Sequence, residues 1–520
     1  MKNIKRITSC ILSALLTLGA VACQKPTEDD VLTEKELAAI TDKIPDYSSN
    51  NKQFEFYGYA SLKDGTWQEG ALTYFSGEDF RNIERVKEYK DAGMTILMPQ
   101  ATAGIVASKG ETVDFENSKA KEVLDMAAEV GIKMIVTDYR LYGFTGTESI
   151  VGEGKEFATE AELDEAIRWH MEPYVNHPAF YGVQLLDEPH YATFTSQGEV
   201  YKSIKRCYPD AFVQMNLLPP LTNIEMGEGK QFPMPDSESV QAFIDAGYSP
   251  MCAETLAAFE LYLTMFLDAT GSDYIMYDQY PFWSESMTTY IAGLQVAANV
   301  AKTRGVELHF VAETFTTDKG NNTRIMSDAD LRWINNMLLG FSTKQIAYFT
   351  YFTRNPDGSI IFVDGGSFIT NLGQKTDIYY NMQKILAENK AFASTILSFE
   401  YQASATYIQP LSMYSSTHVS VCAKGTFAKV DNFESDKESS LLTELYDNAN
   451  NRHMYMIQNI IDPAYKASTT YQTNTLTFNE NYTYAVVWQN AKRTIVKLKD
   501  NQYTVSLQPG EAVYVIPFNA

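Results

Sequence analysis

Short apolar runs alternate with helical patterns from about residue 53 onward, which is the rhythm of a parallel sheet flanked by helices. The predicted strands are Phe54 to Ala60, Met94 to Pro99, Lys133 to Asp138, Gly182 to Leu186, Ala211 to Leu217, Tyr274 to Tyr280, Glu307 to Glu313 and Gln345 to Phe352. Between them, Asp79 to Asp91, Ser118 to Val130, Glu160 to Tyr174, Thr288 to Arg304 and Asp328 to Leu339 carry apolar residues at helical spacing. Several of these segments close on Ala92-Gly93, Val130-Gly131 or Arg304-Gly305, the turn residues expected before a new strand. Eight βα units over roughly 340 residues fit a (β/α)8 TIM barrel with insertions, so the fold class is α/β. A doubly wound open sheet would call for a Gly-rich phosphate turn after the first strand, and Tyr57-Gly58-Tyr59-Ala60 does not supply one.

A last barrel helix is predicted from Thr376 to about Ala393, and beyond it the pattern changes to short alternating strands. These are Thr475 to Phe478, Thr483 to Trp488, Arg493 to Leu498, Gln502 to Leu507 and, after Pro509-Gly510, Ala512 to Ile516. The domain reading is therefore a barrel over residues 51–396 and an antiparallel β-sandwich over residues 397–520. The sandwich serves as a packing partner for the barrel or as a carbohydrate-binding module.

The N-terminus carries an address. Lys2, Lys5 and Arg6 precede an apolar run from Ile11 to Val21 that ends in Ala20-Val21-Ala22-Cys23, resembling a bacterial lipoprotein signal with its lipobox. Residues 1–22 are then a signal peptide, Cys23 is the lipidated residue, and residues 23–50 form an acidic polar tether. The run is too short for a membrane span of about 20 residues, so membrane attachment is expected only through the lipid. Gln24 and the acidic residues after it resemble the surface-export signals of Bacteroidota lipoproteins, which implies the outer membrane, facing the surface or the periplasm.

A net charge of -23 disfavours nucleic acid as a partner, because phosphate binding needs clustered Lys and Arg. With Cys10 and Cys23 set aside, Cys207, Cys252 and Cys422 make neither a disulfide framework nor a zinc spacing. No pair among the 6 His residues has metal-ligand spacing, and neither metal nor cofactor is expected.

In a TIM barrel, chemistry sits where the strands end. The fourth predicted strand breaks into Asp187-Glu188-Pro189-His190, and the seventh ends in Glu313-Thr314-Phe315. Burying a carboxylate at a strand end costs free energy, and glycosidic cleavage is a reason for it: one carboxyl stays protonated to assist the leaving oxygen while an ionised partner attacks. The segments YGVQLLDEPH and HFVAETF resemble the acid/base and nucleophile motifs of clan A glycoside hydrolases, and DYIMYDQYPFW and LRWINNMLLGFSTKQIAYFTYF resemble regions of β-galactosidase-like bacterial members. The resemblance covers about residues 53–392. It implies a retaining hydrolase of β-linked oligo- or polysaccharides, with Glu188 as acid/base and Glu313 as nucleophile.

Two positions depart from the clan pattern. Asp187 stands where the clan usually has Asn, and Met98-Pro99-Gln100 lacks the Arg that orients the nucleophile. Further substrate contacts are expected from Asp187, Asp138, Arg140, Asn216, Asp278, Tyr280, Trp283, Tyr351 and Phe352. Of these, Tyr280 falls where the clan hydrogen-bonds its nucleophile, Asp138 with Arg140 could equally be a local ion pair, and one of Tyr351 and Phe352 should line the cleft. A glycan-binding lipoprotein that has lost catalysis, and an inverting enzyme using Asp278 with Glu188, are the competing readings.

Overall fold

Every one of the eight apolar runs is a strand in the computed structural model, with ends shifted by a few residues. The structure describes residues 32–520 except 66, 70–71, 76, 100–103, 106, 221–231, 284–286, 319–323, 356–360, 409–426, 437–438 and 465–470. The signal peptide, Cys23, Gln100 and Cys422 lie outside the described residues.

The strands are β1 (Glu55–Gly58), β2 (Ile96–Leu97), β3 (Lys133–Thr137), β4 (Phe180–Asp187), β5 (Phe212–Asn216), β6 (Tyr274–Asp278), β7 (Glu307–Glu313) and β8 (Thr343–Phe349). They form two four-stranded parallel sheets, ordered β1-β8-β7-β6 and β2-β3-β4-β5. Hydrogen bonds cross both seams. Leu217 N–H donates to the Met276 carbonyl at 2.8 Å beside the β5 and β6 ends, and Thr95 N–H donates to the Phe56 carbonyl at 2.8 Å beside β1 and β2. Tyr57, Ile96, Met98, Ile135, Tyr274, Met276, Val311 and Ala347, drawn from both sheets, pack into one buried cluster.

Helices cover the other faces, and local sequence sets their ends. In α2 (Lys119–Val130), which follows α1 (Ile83–Asp91), the Ser118 hydroxyl accepts from Lys121 N–H at 3.2 Å, and Gly131 closes the helix in the left-handed region at φ 73°. Ala120, Val123, Leu124 and Ala127 then fall on one buried stripe. The other helices of nine or more residues are α3 (Glu160–Val175), α4 (Phe194–Cys207), α5 (Ser237–Asp245), α6 (Pro250–Thr270), α7 (Met287–Arg304), α8 (Asp328–Gly340) and α9 (Asp377–Ile396). Helix α6 buries residues on most of its circumference, so it shows no helical stripe. Gly198 brings α4 onto it: a Cβ there would lie 2.3 Å from the Ala269 carbonyl oxygen.

The C-terminal strands are β9 (Glu400–Ile408), β10 (Val430–Ser435), β11 (Ser439–Asp447), β12 (Arg452–Asn459), β13 (Gln472–Phe478), β14 (Tyr484–Gln489), β15 (Lys492–Lys497), β16 (Gln502–Leu507) and β17 (Ala512–Phe518). They build a six-stranded antiparallel sheet, β9-β11-β12-β17-β14-β15, and a three-stranded one, β10-β13-β16. Strands of the larger sheet feed two cores by alternation. Tyr455 and Ile457 of β12, with Val513 and Val515 of β17, pack toward Phe433, Leu476 and Leu507 of the smaller sheet. Met454, Met456, Tyr514 and Ile516 point the other way, into the core that contains Trp333 of α8 and Phe392 of α9. Among the described residues, no helix is long and apolar enough to cross a membrane.

Candidate active site

Strand β4 delivers its two carboxylates through a local distortion. Its register with β5 shifts between Gln184 and Leu186, and the chain then turns at Glu188 with φ 45°, a left-handed conformation that a residue with a Cβ adopts only when its surroundings hold it there. Two bonds hold it: Glu188 N–H donates to the Asn216 carbonyl at 2.7 Å, and the Tyr262 hydroxyl of α6 donates to the Pro189 carbonyl at 2.6 Å. Asp187 pairs in register with Asn216 and accepts from its amide at 3.0 Å. Tyr59 lies beside Asp187 and favours its ionised form. The Tyr59 hydroxyl in turn accepts from Gln184 at 3.2 Å, and Gln184 accepts from the Thr137 hydroxyl at 2.9 Å.

Asp187 and Glu188 keep solvent-exposed surface, while protein packed around them displaces much of the bulk water. That desolvation, with the neighbouring Asp187 charge second, pushes Glu188 up to about 7, and Asp278 acts against it. Asp278, at the end of β6, is 5% exposed. Burial first, and then the Glu188 and Asp187 charges, hold it well above the usual carboxylate range. Asp187 is raised by burial as well.

Glu313 ends β7 on the same side of its strand as Val311, a member of the central cluster. It is 3% exposed. One oxygen accepts from Phe282 N–H at 2.9 Å, and Trp283 N–H bonds it as well. Burial nevertheless pushes Glu313 up to about 8, against the pull of those amides and of Arg324. Arg324 follows β7 in the chain, pairs with Asp330 and, at 2.7 Å, with Asp462, and lies over the Phe282 ring. Its positive charge favours the ionised form of Glu313, an influence that spacing along the chain does not reveal.

An aromatic wall adjoins these acids. Phe349, the register partner of Glu313 on β8, stacks with Tyr280 at 5.9 Å and meets Phe315 edge-on at 5.3 Å. Trp283 lies 6.1 Å from both Tyr280 and Phe315. Sequence reasoning missed Phe349 and Phe315. Parity with Ala347, which packs in the central cluster, is the signal that points to Phe349.

Four predicted contacts need correction. Asp138 and Arg140 are 0% and 2% exposed and form a two-point ion pair at 2.7 and 2.9 Å, with Tyr174 donating to Asp138 and Arg140 donating to the His170 carbonyl. Every strong bond of that pair points into the helix layer, so it is a structural pair and not a grip on substrate. Tyr351 and Phe352 are buried too, Tyr351 against Tyr89 and Phe368 and Phe352 against Phe80, so neither lines the cleft. Tyr280 lies where the charges of Asp278, Asp187 and Glu188 bear on its hydroxyl, and Glu313 is not among them. Glu188, Asp187, Asn216, Asp278 and Tyr280 are brought together; Glu313 stands with Trp283 and the Phe282 amide. Among the described residues, no group of three or more His, Cys, Asp or Glu is placed to hold a metal ion.

No protein-family model matches this chain, and no curated protein matches it. Several solved structures share its outline. An Anoxybacillus α-amylase is 12% identical with a TM-score of 0.46, over 92% of this chain and 99% of that one. A glycoside hydrolase family 5 structure from Bacteroides vulgatus is 11% identical with a TM-score of 0.45, over 90% and 94%. An endo-β-1,4-mannanase from Thermotoga petrophila is 11% identical with a TM-score of 0.38, over 88% and 98%. Likeness of this degree leaves the assignment to the chain's own residues.

Proposed function

We propose that this protein is a glycoside hydrolase that cleaves β-linked glycans with retention, using Glu188 as proton donor and Glu313 as nucleophile. The observation that carries the reading is Glu188 itself: a solvent-open carboxyl at a strand end, in a held left-handed turn, pushed up to about 7 by burial. A group in that range keeps its proton near neutral pH and gives it up readily to a leaving oxygen. The aromatic wall of Tyr280, Trp283, Phe315 and Phe349 supplies faces suited to a sugar ring.

In this reading the two parallel sheets close through their bonded seams into a (β/α)8 barrel over residues 51–396, and residues 397–520 form a β-sandwich packed on it. Residues 1–22 are removed, and lipid on Cys23 anchors the protein in the outer membrane. The substrate is an oligo- or polysaccharide. Glu188 protonates the glycosidic oxygen as the bond to the anomeric carbon breaks and its electron pair passes to that oxygen. The Glu313 carboxylate bonds the anomeric carbon; Glu188, now ionised, takes a proton from the water that displaces Glu313.

Asp278 is not read as the second catalytic carboxylate: the charges of Glu188 and Asp187 bear on it directly, which groups it with the proton donor, while Glu313 comes from another strand end. The test is a glycan panel screened for released reducing ends with the mature protein, Glu188→Gln and Glu313→Gln, and NMR of the first product's anomer. Loss of turnover in both folded variants with a retained anomer is the expected result; an inverted anomer, or full activity in either variant, rejects the mechanism.

One observation favours a second reading, a surface glycan-binding protein without catalysis. Glu313 is 3% exposed and pushed up to about 8, so in the free protein at neutral pH it is mostly protonated and a poor nucleophile. Affinity for a polysaccharide with no new reducing ends on any glycan selects that reading.

A further inference from the structure

The opposite ends of the same strands enclose a second polar space. Tyr181 of β4, Phe212 of β5, Tyr274 of β6, His309 of β7 and Gln345 of β8 line a cavity of about 620 Å³ there. His309 lies four residues before Glu313, and Gln345 four before Phe349, so at a strand rise of about 3.3 Å per residue the cavity is about 13 Å from the candidate active site. Its rings form a column, with centroids 5.3 Å apart from Tyr181 to Phe212, 5.1 Å from Phe212 to Tyr274 and 4.6 Å from Tyr274 to His309. Tyr181 and Phe212 are only half-buried, which leaves apolar surface open. Hydrogen bonding inside the chain leaves two polar groups over. His309 is 5% exposed; its Nε2 bonds Glu307 at 2.9 Å, and its Nδ1 has no partner among the described residues. Gln345 is 4% exposed, and its amide nitrogen has none either. The two residues are register partners on neighbouring strands, so their side chains leave the sheet on the same face. With Nε2–H given to a carboxylate, which only accepts, Nδ1 of the neutral ring is an acceptor, while the Gln345 nitrogen is a donor. A single hydroxyl answers both.

We propose that this cavity is a second ligand site, taking a small neutral polyhydroxylated molecule, a mono- or disaccharide, with one hydroxyl between Gln345 and His309 and a carbon face against Phe212 and Tyr181. Neither Glu188 nor Glu313 takes part in it. Charge selects the neutral class. Lys52 already donates to the Leu397 carbonyl at 2.8 Å, Lys205 to the Ala211 carbonyl at 3.1 Å, and Lys344 to the Phe399 carbonyl at 2.8 Å while pairing with Glu400 at 3.1 Å. Five carboxyl side chains outnumber these three lysines around the cavity, so an anion finds no spare positive charge, and a cation would meet the Gln345 N–H with the wrong sign. The volume falls within the range of about 300 to 1,000 Å³ in which pockets hold small molecules. The strand starts of a (β/α)8 barrel ordinarily serve stability. Stability alone disfavours a buried donor and a buried acceptor left without partners, and a bound hydroxyl removes that cost.

The test is calorimetric titration of the mature protein carrying Glu188→Gln and Glu313→Gln, so that no probe is consumed. The probes are glucose, galactose, mannose, xylose, lactose and cellobiose, with glucuronate and glucosamine as charged comparators. The same titrations are repeated with Gln345→Leu or His309→Phe added, each close in shape to the residue it replaces. At least one neutral sugar should bind, and each added substitution should weaken that binding about tenfold, the effect of one buried hydrogen bond. Gln345→Leu removes a buried group that has no partner, so without ligand it should melt no lower than its parent, which separates lost binding from lost fold. If His309→Phe fails to fold, Gln345→Leu alone decides. Sugar affinities that the substitutions leave intact belong to the other end of the strands and overturn the proposal. So does the absence of any affinity, which makes water the cavity's only occupant, and so does a charged comparator that binds more tightly than every neutral sugar and is lost in Gln345→Leu.

Discussion

Two backbone amides and an arginine act to ionise Glu313, yet burial outweighs them and holds the carboxyl at about 8 against an ordinary value of 4.5. A group whose folded-state value is raised contributes stability that is complete below its unfolded value and is lost as pH climbs through the folded one. For Glu313 the loss runs from pH 4.5 to about 8, and its ceiling is about 5 kcal/mol. Glu313→Gln should therefore unfold at nearly the wild-type temperature at pH 4.5 and at a distinctly higher one at pH 8.5. Thermal scans at the two pH values check it, and a difference that does not change with pH counts against the burial argument. At this scale Asp187, Glu188 and Glu313 were legible in the sequence, because each is a charge that abruptly ends an apolar run. Phe349 and Arg324 were not, since what gives them meaning is a neighbour on another strand or loop.

Helix packing supplies a second check. At Gly198 a Cβ would meet the Ala269 carbonyl oxygen at 2.3 Å and its carbon at 2.7 Å, both rigid backbone atoms of α6. Gly198→Ala gains about 1 kcal/mol of helix propensity and meets an overpacking cost of about 1 to 3 kcal/mol, and since backbone cannot rotate aside the cost prevails. A lower melting temperature for Gly198→Ala is the expected outcome; a gain would mean that α4 can slide on α6. The eight parallel strands were readable because each is a brief apolar run between turn signals. Helix α6 escaped because it is apolar nearly all round, which erases the 3.6-residue stripe, although its Tyr262 braces the turn that presents Glu188. Strands β11 and β12 went unlisted for a related reason: they are buried on both faces and so do not alternate between apolar and polar.

Across the whole chain, the larger antiparallel sheet shares a core with α8 and α9: Phe392 packs against Trp488 at 4.9 Å and Tyr514 at 4.8 Å, and Gly340 leaves room for the Met456 side chain. A chain ending at residue 396 would expose this apolar face, and exposed patches of that kind drive aggregation. Such a truncation should appear in the insoluble fraction, whereas a soluble monomer with the full helix signal would show the two halves to be independent. The coupling extends to charge. Arg324, which pulls on Glu313, is held on its far side by Asp462, a residue of the C-terminal half. The appended sheets therefore bear on the acidity of Glu313: a graft that swapped them for another module would shift the pH at which that carboxyl ionises, although no side chain beside it had changed.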